Sequence, residues 1–151
     1  MNRTRCPFIL VLLFVTMMFS GCGASDTTKP EGTVNRKFEL QAKILSSGKE
    51  LSDSEKKEYQ SLWARELAND KLYYAHKYAL EIAQKGNAKM DWEITKVDQY
   101  SPDRAAVQIN YYIKQDYKEN SGTQVYELAK NDLSDNWFII NERKLTILDK
   151  R

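Results

Sequence analysis

The sequence predicts an α+β domain, with helices first and then a bent antiparallel sheet of about four strands that they cover on one side. Three observations carry that expectation. Ser52 followed three residues later by Glu55 is a capping box, and apolar residues at helical spacing follow it. At Lys89 the apolar period switches from 3.6 towards 2. From there on, alternating stretches are separated by short polar turns, and helices grouped ahead of consecutive strands pack as one layer on another.

The amino terminus reads as an address. Arg3 and Arg5 give a basic start, Phe8 to Phe19 form an apolar run, and the small residues Ser20 and Gly21 precede Cys22. That is the layout of a signal peptide, residues 1–21. An apolar helix of about 12 residues would span only ~18 Å, against roughly 30 Å for a hydrocarbon core. The stretch Phe19-Ser20-Gly21-Cys22 resembles the lipobox of bacterial lipoproteins, with Phe19 standing where leucine is usual. The resemblance implies cleavage between Gly21 and Cys22 and a lipid anchor on Cys22, a diacylglyceryl group on its thiol with palmitate among the acyl chains. It also implies an extracytoplasmic protein held on the cell membrane, in the manner of small Gram-positive lipoproteins. Two acyl chains suit that task, since one alone binds a bilayer only marginally.

Removal of residues 1–21 changes the charge reading. The whole chain has 23 Lys and Arg against 21 Asp and Glu, and the lost segment holds two Arg and no acid. The remainder is balanced, with no cationic surplus to neutralise phosphates, so no nucleic-acid partner is expected. The cysteines number two, Cys6 and Cys22, which leaves the domain itself without a thiol. Thiol catalysis, a redox CxxC pair and cysteine-based zinc sites are therefore excluded there, in keeping with an oxidising location.

Residues 22–34 are small and polar and lack periodicity, and they are read as a flexible tether of ~15–20 Å. A single domain is expected over 35–151. Residues 36–46 are ambiguous: Phe38, Leu40, Ala42 and Ile44 alternate as in a strand, while Phe38, Ala42 and Leu45 also fall at helical spacing. Good helix formers tip the reading to helix, closed by Ser46-Ser47-Gly48. After the capping box, Tyr59, Leu62, Trp63, Glu66 and Leu67 keep the helical period, which resumes through Tyr74, Tyr78, Ala79 and Ile82. This gives one long helix or two joined at Asn69-Asp70, stopped by Gly86-Asn87.

Met90, Trp92 and Ile94 open the strands. Ser101-Pro102-Asp103 is a turn, and residues 105–114 alternate most cleanly of all. Asn120-Ser121-Gly122 reads as the next hairpin turn, followed by strands at 123–130 and 136–147 with a polar turn over 131–135. This order, with Trp92, Tyr111 and Trp137 on the strands, resembles the cystatin-like, nuclear-transport-factor-two-like superfamily over about residues 36–148. The resemblance implies a cone, a strongly bent sheet closed on one side by helices, around a pocket that is catalytic in some members and only binds ligands in others.

Few residues point to catalysis. His76 is the sole histidine, and one imidazole without a thiol makes no zinc site. No metal and no cofactor are expected, and no GxSxG, phosphate cradle or HExxH occurs. A pocket carboxylate working with tyrosine, which the superfamily resemblance suggests, could draw only on Asp91, Asp98 and Asp116 with Tyr111 and Tyr112. Asp91 and Glu93 read instead as a solvated strand face. Nine tyrosines are the one unusual abundance. Tyrosine suits half-buried faces, and it also suits binding patches. Trp92, Tyr111, Tyr126, Trp137, Tyr74 and Tyr78 are accordingly the expected pocket or interface residues.

The sequence thus points first to a membrane-anchored, non-enzymatic binding module for another envelope protein or a small apolar ligand. The alternatives are a small isomerase- or dehydratase-like enzyme using a carboxylate and tyrosine, and a structural envelope or exclusion factor.

Overall fold

The computed structural model describes residues 25–116 and 118–145. The signal peptide, the cleavage site Gly21-Cys22 and Tyr117 therefore lie outside the described residues. Three helices, α1 (Pro30–Ser47), α2 (Asp53–Ser61) and α3 (Arg65–Ala83), precede four strands, β1 (Ala88–Ser101), β2 (Arg104–Gln115), β3 (Lys118–Lys130) and β4 (Trp137–Leu145). The strands form one antiparallel sheet in sequence order, β1-β2-β3-β4, and the helices cover one face of it.

Residues 36–46 are helical, as the propensities favoured, but α1 begins earlier than expected. Pro30 stands in its first turn, where a missing N–H costs nothing. Thr33 and Val34 are fully buried, so the tether expected over 22–34 does not extend that far. Residues 25–29 are also fastened down. Thr27 accepts a hydrogen bond from the Trp137 amide at 2.9 Å through its carbonyl, and its hydroxyl donates to Asn136 at 3.0 Å. The Thr33 hydroxyl donates to the Trp137 carbonyl at 3.1 Å. These bonds outweigh the low hydrophobicity that suggested a coil. At its other end, α1 stops at Gly48 in the left-handed conformation, φ +62°, where its N–H reaches the Ile44 carbonyl at 2.9 Å.

Both halves of the Ser52–Glu55 capping box are formed at the head of α2. The break in the long helical run falls at residues 62–64 rather than at Asn69-Asp70, which lie inside α3. The cause is the edge of β4. The Ile139 amide donates to the Leu62 carbonyl at 2.8 Å, and the Ala64 amide donates to the Ile139 carbonyl at 2.8 Å. Trp63 thereby forms a parallel bridge with Ile139, and this covers an otherwise open sheet edge.

In β2, Ala105, Val107, Ile109 and Tyr111 point to the helices and are buried. The β2–β3 hairpin turns between Gln115 and Lys118, so Asn120-Ser121-Gly122 is not a turn. Those residues pair with Ile113, Tyr112 and Tyr111 inside the ladder. Gly122 is there for a close approach: a Cβ on it would stand 2.7 Å from the Tyr111 hydroxyl oxygen and 2.9 Å from ring carbons. The core joins Val34, Phe38 and Ile44 of α1 to Ile109, Leu128 and Ile139 of the sheet, with Tyr59 and Trp63 closing one end.

Candidate binding pocket

A pocket of about 470 Å³ lies between α1, α3 and the concave face of the sheet. Its two ends differ in chemistry. Leu45, Ala79, Ile82, Met90 and Ile113 make one end apolar, whereas Lys37, Lys71, Gln124 and Glu142 gather at the other. Lys71 and Ile82 are eleven residues apart on α3, so the ends are separated by ~16 Å along that helix. Phe38, Tyr111, Tyr74 and Tyr78 line the wall between them.

Lys37 sits in the buried stripe of α1, one turn from Val34 and two turns from Ile44, and is only 4% exposed. Its Nζ donates to the Tyr126 hydroxyl at 2.7 Å, which in turn donates to Gln124 Oε1 at 2.6 Å. The ammonium lies 4.0 Å from the Phe38 ring centroid and 4.8 Å from that of Tyr126, within cation–π range. No carboxylate among the described residues comes within salt-bridge distance of it. Burial pushes its pKa down to about 8, against the opposing pull of Glu142. Lys71, by contrast, is paired with Glu142 at 2.5 Å and lies 5.2 Å from the Trp63 ring centroid. Burial, reinforced by Glu142, raises the Tyr59 and Tyr126 phenols above their usual range. The Tyr59 hydroxyl accepts from Gln41 Nε2 at 3.3 Å. The buried Trp63 indole N–H finds no acceptor in hydrogen-bonding geometry among the described residues.

Of the six aromatic residues singled out in the sequence, Tyr111, Tyr74 and Tyr78 line this pocket and Trp92, Tyr126 and Trp137 do not. Tyr111 lines the wall, and Tyr126 lies fully buried beneath the charged end. Tyr74 and Tyr78 stand at the rim, 47% and 55% exposed, with their rings stacked 5.9 Å apart. Trp92 is outside the lining. It stacks on Phe38 at 5.6 Å and donates its indole N–H to Asn35 at 3.0 Å, joining β1 to α1. Trp137 is in the core, where β4 begins. Asp91, Asp98 and Asp116 are all exposed, and none lines the pocket, so these carboxylates supply no acid to it. Tyr112 also points outwards, 51% exposed. His76 accepts the Leu51 amide at 3.4 Å, outside the pocket, and burial lowers its pKa. Among the described residues no cluster of His, Cys, Asp or Glu is placed to hold a metal ion, and no helix is long and apolar enough to cross a membrane.

The charged members of the pocket escaped the sequence reading for identifiable reasons. Lys37 needed Val34 as a marker of the buried stripe, and α1 was expected to start after it. Lys71 falls in the stripe of Ala68, Ala75 and Ala79, which tyrosines on both sides obscure. Glu142 faces inwards because of a bulge. Leu128 pairs with Ile139 but Glu127 pairs with Asn141, so Ile140 is the extra residue of β4. Simple alternation from Trp137 and Ile139 would send Asn141 and Arg143 inwards. The bulge resets the parity and places Glu142 opposite Tyr126.

No family model and no curated protein matches the sequence. Solved structures do match the fold. An NTF-2 like protein of unknown function from Shewanella oneidensis superposes with a TM-score of 0.54 at 14% identity, covering 77% of this chain and 98% of that one. The fold is NTF2-like. A domain of unknown function with a cystatin-like fold from Nostoc punctiforme gives a TM-score of 0.49 at 14% identity, covering 80% of each chain. Such identities speak to the NTF2-like architecture alone and leave the chemistry to the pocket itself.

Proposed function

We propose that this chain is an extracytoplasmic lipoprotein, anchored to the cell membrane through Cys22, whose NTF2-like domain binds a small, largely apolar ligand without transforming it. One observation carries the ligand reading: the pocket is open, about 470 Å³ in volume and walled mostly by apolar and aromatic side chains. Its size falls within the usual range for small-molecule sites, and a few polar groups converge at one end to orient a guest. The carboxylate within it, Glu142, is held by Lys71 at 2.5 Å rather than left free as a base, which favours binding over turnover. The anchor reading rests on the signal layout ending at Cys22.

A second reading, an envelope protein as partner, is favoured by Tyr73, which is 61% exposed beside the Tyr74 and Tyr78 rim. Occlusion separates the two. Ala79→Phe fills the pocket from α3 while leaving that tyrosine surface in place. With the full chain in lipid nanodiscs, calorimetric titration with 4-phenylbutanol is expected to show saturable binding that Ala79→Phe removes at unchanged helix content. Binding that persists in Ala79→Phe, or none by the parent chain, overturns the ligand reading. The anchor is tested by mass spectrometry of the exported chain, which should carry lipid on Cys22 and none in Cys22→Ala. A structural or exclusion factor would instead lose its cellular effect in Cys22→Ala and keep it in Ala79→Phe.

A further inference from the structure

We infer that the pocket selects a monoanionic amphiphile, an aromatic or aliphatic carboxylate whose head group binds the Lys37 ammonium while its apolar body extends along α3 towards Ile82. This rests on the ligand-binding reading above and specifies its ligand class.

The charged end carries an imbalance. Two ammonium groups, Lys37 and Lys71, face one carboxylate, Glu142, and that carboxylate is engaged by Lys71. One positive charge therefore remains on Lys37. A lysine almost wholly out of water normally has a carboxylate or several carbonyls around it. Lys37 has one phenol oxygen and two ring faces, which leaves ammonium N–H groups without protein acceptors. The Trp63 indole N–H, sealed into the same wall, has the Tyr59 hydroxyl beside it but no acceptor in good hydrogen-bonding geometry among the described residues. Positive charge thus exceeds negative charge at the polar end of the pocket, the electrostatic setting for an anion.

The same count sets the magnitude of the charge. A single unmatched ammonium is neutralised by a single negative charge, whereas a phosphate dianion would leave one charge uncompensated near Glu142. The apolar end gives the body of the ligand. Leu45, Ile82, Met90 and Ile113 offer no hydrogen-bonding side chain, so the guest must be polar at one end only. The distance between the ends, ~16 Å by helix rise, accommodates a head and an extended tail rather than a compact polar metabolite.

The test compares 4-phenylbutyrate with 4-phenylbutanol and 4-phenylbutylamine, titrated calorimetrically into the full chain in nanodiscs against empty nanodiscs. The acid is expected to bind about tenfold or more tightly than the alcohol, the amine most weakly, as for a charge-assisted contact. Lys37→Met should remove the preference for acid, bringing the ratio of acid to alcohol affinity to about one. Glu142→Gln, which frees Lys71, should raise the ratio of acid to alcohol affinity further. Equal affinity for acid and alcohol, an acid preference that survives Lys37→Met, or tighter binding of 4-phenylbutyl phosphate overturns the carboxylate inference, with the pocket reading intact. Failure of the alcohol as well as the acid overturns both.

Discussion

Burying an ammonium group removes hydration that a protein must replace, and Lys37 is offered one phenol and two aromatic faces in exchange. Its pKa of about 8 compares with 10.5 when exposed, so between these values the unfolded chain holds the proton more tightly than the folded one. Stability attributable to this residue therefore rises with pH across that window, and the full penalty is present below pH 8. Lys37→Met, which keeps most of the volume and drops the charge, should stabilise the domain at pH 7 by about 3 kcal/mol. Urea unfolding would show this, with the gain shrinking as the pH approaches 10. No gain at pH 7 would mean the charge is better compensated than the contacts indicate. A position where the native residue destabilises the fold is where binding outweighs stability. Carboxylate affinity should correspondingly weaken as pH rises above about 8. The ionisable groups facing Lys37 are Lys71, Glu142 and the Tyr59 and Tyr126 phenols. Lys71 and Glu142 form an ion pair, and burial holds both phenols neutral to higher pH than usual.

At the scale of elements, regular local patterns were legible and departures from them were not. The capping box at Ser52, the alternation of β2 and the closing Gly48 are each written within a few residues, and each appears as read. What could not be read locally depends on a partner distant in sequence. The helix break at residues 62–64 is imposed by Ile139, and the inward turn of Glu142 by a bulge that only the pairing with β3 defines. Gly122 is the instructive case. Next to Asn120-Ser121 it signals a turn, yet its missing side chain makes room for the Tyr111 ring across the ladder. Gly122→Ala should therefore cost about 1–3 kcal/mol through overpacking, and far less in a Tyr111→Leu background. A double-mutant cycle by thermal or urea unfolding measures that coupling. Equal costs in the two backgrounds would show that the glycine serves the backbone rather than the ring.

Across the whole molecule, the early start of α1 and the fastening of residues 25–29 constrain how an anchored domain would stand on a membrane. Thr27 is hydrogen-bonded to the first residue of β4 and lies five positions after Cys22. Fully extended, five residues reach at most ~18 Å. A lipid on Cys22 would then hold the β3–β4 turn within that distance of the bilayer, rather than on the longer leash expected from residues 22–34. Leu133 in that turn is 97% exposed, and in an anchored domain its apolar side chain would be free to dip among the headgroups. Asn87, where α3 hands over to β1, lies at the Gly48 end of α1 and lines a surface cleft with Ser47 and Gly48. That end is separated from Pro30 by the 18 residues of α1, ~27 Å of helix. The domain has no thiol of its own, so a fluorophore can be attached at Leu133→Cys or at Asn87→Cys in the lipidated chain. In vesicles with a headgroup quencher, the label at 133 should be strongly quenched and the label at 87 weakly. Leu133→Asp should loosen the contact and lower the quenching of a label on the adjacent Asp132→Cys. Equal quenching at 133 and 87 would mean that the domain tumbles freely on its anchor, with no face held to the membrane.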